Sequence, residues 1–113
     1  MPIIAADPLR AVVRAMCKAA GSTDYEAELV ADNLVMANLS GHDSHGVGML
    51  PAYFTNLDAG GLKVNQHAEV VRDEGAVMVV DGHAGFGQVI GKESMDIAIG
   101  KPMPPKYKTT RTR

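Results

Sequence analysis

Apolar residues recur along the chain first at helical spacing and then at strand spacing. Leu9, Val12, Val13, Met16 and Ala20 fall on one side of a helix opened by Asp7-Pro8, with Asp7 as N-cap and Pro8 at the first helical position, where a missing N–H costs nothing. Gly21 is its natural stop. A second helix starts at Thr23, whose hydroxyl forms a capping box with Glu26. It buries Ala27, Val30, Leu34 and Val35 and ends near Gly41. A third is expected from about His45 to Leu57, with Val47, Leu50, Phe54 and Leu57 on one side. Pro51 must then lie within its first turn, and Gly60-Gly61 ends it.

The period then changes. EVVRDEGAVMVVD (69–81) reads as two short strands around a turn at Asp73-Glu74-Gly75, and a last helix occupies roughly Gln88–Ile99. Helices, a short hairpin and a helix make an α+β arrangement. Composition supports this. The 113 residues have room for one core, and with aromatics at 4% and no Trp it must be built from Val, Ile, Leu, Met and Ala.

Charge divides the chain. The net value of −2 conceals six Lys and Arg against all thirteen acids in residues 1–100, a balance of −7, and five basic residues in the last thirteen. That tail, KPMPPKYKTTRTR (101–113), has three prolines and no apolar periodicity, so it is expected to be disordered and solvated. A basic tail can bind phosphates, but without a basic folded face nucleic-acid binding is the weakest reading. Cys17, the single cysteine, excludes an internal disulfide and a CxxC metal site. No apolar stretch reaches the ~20 residues of a membrane span. The first residues also lack a secretion-signal layout, so the expected location is cytoplasmic.

Three patterns carry candidate chemistry. VMVVDGHAGFGQVIG (77–91) imitates a dinucleotide fingerprint, but its spacing is GxGxxxG. In addition, Gly-His-Ala separates strand from glycines, and no parallel strand with a ribose-binding acid follows, so it reads as a Gly-rich strand-to-helix turn. His42 and His45, three apart, can share a helical face as metal ligands, but a third ligand is missing unless His67 or His83 reaches them in space; no metal is predicted. Asp43-Ser44-His45 holds the residue types of a hydrolase triad, yet adjacent residues cannot aim at one another in the needed chain. What is left is local: Ser44 as an N-cap, and His45 in the first turn beside the positive helix end, which favours its neutral form. On the residues alone, capping and packing explain both.

With those residues in view, the chain resembles the malate/L-lactate dehydrogenase family of NAD(P)-dependent 2-hydroxyacid oxidoreductases, its hydroxycarboxylate dehydrogenase branch in particular. The resemblance spans about residues 9–100. It rests on GHDSHGVGMLPAY (41–53), EGAVMVVDG (74–82) and GFGQVIGKESMDIAI (85–99), in that order. It implies a larger, non-Rossmann dehydrogenase fold, and hydride transfer between NAD or NADP and a small 2-hydroxy or 2-keto acid. It also implies that His45, with Ser44 beside it, touches the cofactor. Where many members carry a carboxylate-clamping Arg this chain has Met49, which cannot hold a carboxylate, and Tyr53 faces the same pocket.

The family is dimeric and about three times longer. It continues through an Asn-Ser-x-His-x-Gly segment that supplies the proton-transferring histidine, so no catalytic residue is assigned here. The composition break and the end of the resemblance coincide at Lys101. Residues 1–100 are therefore expected to be the N-terminal part of such an enzyme, inactive alone, and 101–113 a truncation or frameshift product. The rival reading is a small non-enzymatic α+β interaction or dimerisation module.

Overall fold

Two consecutive helices carry most of the buried side chains in a computed structural model that describes residues 3–101. Helix α1 (Ala6–Ala19) is capped by Ala5, which has extended backbone but no side chain to accept a hydrogen bond. Asp7, expected as the N-cap, lies instead inside the first turn, where it suits the positive helix end and accepts from Arg10 at 2.8 Å. Pro8 is tolerated there because first-turn N–H groups have no intrahelical partner. Val13 and Cys17 are buried, whereas Val12 and Met16 from the predicted face stay exposed, so the buried face of α1 is narrower than its apolar stripe.

Helix α2 (Asp24–Leu39) buries every predicted position, Ala27, Val30, Leu34 and Val35. Its capping box is only half formed. Thr23 Oγ1 accepts from the Glu26 N–H at 3.3 Å, but the Thr23 N–H donates to Asn65 Oδ1 at 2.7 Å. The buried Glu26 carboxylate instead accepts the Ser22 hydroxyl at 2.6 Å and the Asn65 N–H at 2.9 and 3.0 Å. Asn65, left-handed at φ 59°, is thereby fastened to the start of α2.

The third helix begins later than its apolar pattern implies. Two short 3₁₀ turns, Asp43–His45 and Val47–Met49, precede α3 (Leu50–Ala59), which carries Pro51 in its first turn and ends at left-handed Gly60. Leu50 is buried, and Val47, Phe54 and Leu57 pack against the core. Strands β1 (Glu69–Asp73) and β2 (Met78–Asp81) pair antiparallel, Glu69 opposite Asp81 and Asp73 opposite Met78, with a bulge between Val70 and Arg72. Helix α4 (Gly87–Gly100) extends the expected span by one residue at each end. Phe86 and Val89 bring the start of α4 into the core formed by Val13, Cys17, Ala27, Val30, Ala31 and Leu34.

Four helices and a two-stranded sheet make these residues α+β. Lys101 pairs with Asp73; the remainder of the tail expected to be disordered lies outside the described residues. No described helix is long and apolar enough to cross a membrane.

Candidate functional site

The segment between α2 and α3 is shaped by backbone before side chains. Gly41, at φ 82°, ends α2, and the His42 N–H reaches back to the Ala37 carbonyl at 2.8 Å. The chain then folds into the two 3₁₀ turns, leaving His42, Asp43, Ser44 and His45 exposed. Ser44 is therefore not the N-cap of an α-helix, and His45 is not in a first α-helical turn. The dipole argument for a neutral His45 loses its basis, because the regular helix starts only at Leu50. What the structure does bring together is the pair itself: Ser44 Oγ lies 3.1 Å from His45 Nδ1. Nε2 of His45 has no hydrogen-bond partner among the described residues.

Met49, the last residue of the second 3₁₀ turn, and Tyr53 on α3 form a second pair. The Tyr53 hydroxyl donates to Met49 Sδ at 3.9 Å and accepts from Gln88 Nε2 at 2.9 Å. Its ring meets Phe86 edge-on, centroids 5.5 Å apart. Tyr53 thus joins the start of α3 to the start of α4. No hydrogen bond among the described residues joins this pair to Ser44 or His45. An open cleft of about 420 Å³ lies elsewhere, lined by Ala20, Phe54, Leu57, Leu62 and Val64 among others, and contains none of the four predicted residues.

Two participants are not evident in the sequence pattern. Gln88 reads there only as a helix start. Asn38 lies outside the apolar stripe of α2, and its one signal is a helix-disfavouring Asn near a C-terminus. Its carboxamide accepts from the Val47 N–H at 2.9 Å and donates to Asp43 Oδ1 at 2.8 Å.

His67 and His83 do not complete a ligand set with His42 and His45 among the described residues. His67 Nδ1 pairs with Glu93 at 2.8 Å, while His83 Nε2 pairs with Glu69 at 2.8 Å and its Nδ1 lies 3.6 Å from Asp81. Among the described residues, Glu69, Asp81 and His83 are the one group of three possible metal ligands, all exposed. Glu69 and Asp81 are opposed across the hairpin, which brings both carboxylates beside the His83 ring and accounts for the grouping.

Around His67, burial pushes the Glu93 carboxyl up. The Ala68 N–H, His67 and the Tyr25 hydroxyl outweigh this and hold it below the ordinary glutamate range. Cys17 moves the other way: burial, and then the charge of Glu26, raise its thiol. Gly82 and Gly85 of the 77–91 stretch serve close packing, whereas a Cβ on Gly87 or Gly91 would meet nothing within 4 Å. A Cβ on Gly85 would lie 2.8 Å from Gln66 Cβ, and one on Gly82 would lie 3.0 Å from Ile90 Cγ2. The strand before them pairs antiparallel, so no Rossmann unit is present among the described residues.

The family model for malate/L-lactate dehydrogenase matches residues 4–103. The chain belongs to this family. Hydroxycarboxylate dehydrogenase B of Escherichia coli (strain K12) is 45% identical over 96 residues, which cover 85% of this chain and 27% of that protein. Among solved structures, the malate dehydrogenase of Pyrococcus horikoshii OT3 superposes with a TM-score of 0.79 at 36% identity, and the sulfolactate dehydrogenase of Methanocaldococcus jannaschii with 0.81 at 34%. They share 85% and 87% of this chain, and 28% of each of theirs. The chain thus spans about a quarter of the length of the malate/L-lactate dehydrogenases it matches.

Proposed function

We propose that the chain is the amino-terminal part of an NAD(P)-dependent oxidoreductase of small 2-hydroxy and 2-keto acids, with Ser44 and His45 contributing to the cofactor contact and Met49 and Tyr53 to the substrate pocket. The observation that carries this reading is the exposed Ser44–His45 pair, held on a folded loop in a chain of the malate/L-lactate dehydrogenase family. The donor set suits a nicotinamide nucleotide. A hydroxyl and an imidazole nitrogen offer both a donor and an acceptor to a carboxamide or a ribose hydroxyl. When bound, the cofactor supplies the hydride acceptor or donor, and the chain's own residues orient it.

Tyr53 presents a hydroxyl already oriented by Gln88, whereas Met49 gives the pocket an apolar wall. A substrate carboxylate therefore needs a cation from outside residues 41–53. In keeping with the resemblance, the proton-transferring group lies beyond this chain, which alone is inactive as a dehydrogenase. The whole enzyme is proposed to be a cytoplasmic homodimer.

Titration of the purified chain with NADH, followed by fluorescence, tests the reading. Saturable binding that weakens about tenfold on His45→Ala supports it, as expected for a lost hydrogen bond in a ligand site. Binding that is absent, in a chain with a helical circular dichroism spectrum, favours an interaction module.

A further inference from the structure

We infer that Asn38 is the positioning residue of the Ser44–His45 turn: its carboxamide clamps the loop on both sides of that pair and fixes where His45 is presented. The inference rests on the proposed cofactor role of Ser44 and His45. Asn38 lies in the last turn of α2 and is half-buried. Its backbone carbonyl accepts the Gly41 N–H at 3.1 Å, so it already belongs to the helix stop.

Its side chain then spans the loop. Nδ2 donates to Asp43 Oδ1 at 2.8 Å, just before Ser44, and Oδ1 accepts from the Val47 N–H at 2.9 Å, two residues after His45. The orientation of the amide follows from its partners, because a carboxylate needs a donor and an N–H needs an acceptor. No other side-chain type of this length supplies both.

Gly46 completes the clamp. Its φ of −94° is open to any residue, so conformation does not demand glycine there. Space does. A Cβ on Gly46 would lie 2.3 Å from Asn38 Oδ1, 2.4 Å from Cγ and 2.6 Å from Nδ2. The amide therefore lies against the Gly46 backbone, and the two positions are coupled: one carboxamide and one missing side chain occupy the same volume.

Four variants of the 113-residue chain test this: Asn38→Ala, Asn38→Asp, Gly46→Ala, and Asn38→Ala with Gly46→Ala. Three quantities are read, namely hydrogen exchange at the Val47 amide by NMR, NADH affinity by fluorescence, and helix content by circular dichroism. Asn38→Ala is expected to speed Val47 exchange and weaken NADH each by about tenfold, with helix content unchanged. Asn38→Asp keeps the acceptor, so Val47 stays protected while NADH still weakens through repulsion of Asp43. Gly46→Ala is expected to reproduce the Asn38→Ala phenotype alone and to add nothing in the Asn38→Ala background, where the space has been vacated.

Unchanged Val47 exchange in Asn38→Ala, or equal damage from Gly46→Ala in both backgrounds, overturns the clamp. Faster Val47 exchange with unaltered NADH affinity overturns its positioning role. If the parent chain binds no NADH, the cofactor reading fails, and the exchange data and double-variant comparison still decide the clamp by themselves.

Discussion

Glu26 is buried, yet both of its oxygens are engaged, by the Ser22 hydroxyl and the Asn65 N–H. A carboxylate in such a place stabilises only while its partners remain, and removing it orphans two donors. Glu26→Ala is expected to cost about 2–3 kcal/mol in urea unfolding, mostly by releasing the segment around Asn65 from the start of α2. A loss below about 0.5 kcal/mol would mean that water satisfies those donors as well as Glu26 does.

Glu93 makes a prediction of a different kind. Its carboxyl is held below the ordinary range by the Ala68 N–H and His67 despite the opposing effect of burial. A depressed acid contributes stability that is present above its unfolded value and lost as pH falls through the folded one. Urea midpoints should therefore drop across the acidic carboxylate range, and Glu93→Gln should flatten that slope while keeping an acceptor for the Ala68 N–H. Identical slopes for the two proteins would refute the assignment.

At the level of elements, α1 lacks a cap that its backbone is ready to accept. Ala5 has φ −65° and ψ 146° with no side-chain bond. Ala5→Ser should stabilise the protein by about 0.5–1 kcal/mol, read as a higher thermal midpoint. The sequence misplaced this cap at Asp7 because Asp-Pro is a strong local signal, and the first turn tolerates both residues at more than one offset.

The α2 face was legible for Ala27, Val30, Leu34 and Val35, which recur at helical spacing; Ala31, small enough to escape an apolar count, and Glu26, a charged residue, are buried beside them. The hairpin turn was legible too. Gly75 takes φ 83° and its N–H bonds Asp73 Oδ1 at 3.0 Å. The start of α3 was not, because Val47 and Leu50 share a spacing that a 3₁₀ turn followed by a helix satisfies as well as one helix does. That difference reaches the candidate site. It removes the dipole from His45 and gives the work of shaping the loop to Asn38, a residue no apolar count can reveal.

At the scale of the whole molecule, much apolar surface lies outside the core of the described residues. Val77 and Val79 on the hairpin and Met95 and Ile99 on α4 are exposed, in a chain about a quarter the length of its relatives. The buried cluster is concentrated where α1 meets α2, so that seam should open last and the hairpin first. Cys17 sits in that seam, 2% exposed, its thiol raised by burial. As the chain's single sulfhydryl it is a clock: a thiol reagent reaches it only in the instants when α1 lifts away from α2. Under native conditions its labelling should be slow, saturable in rate at high reagent, and at least tenfold faster in Val13→Ala, which leaves a void one helical turn away. Fast labelling in the parent chain would show that the two helices part far more often than their packing implies.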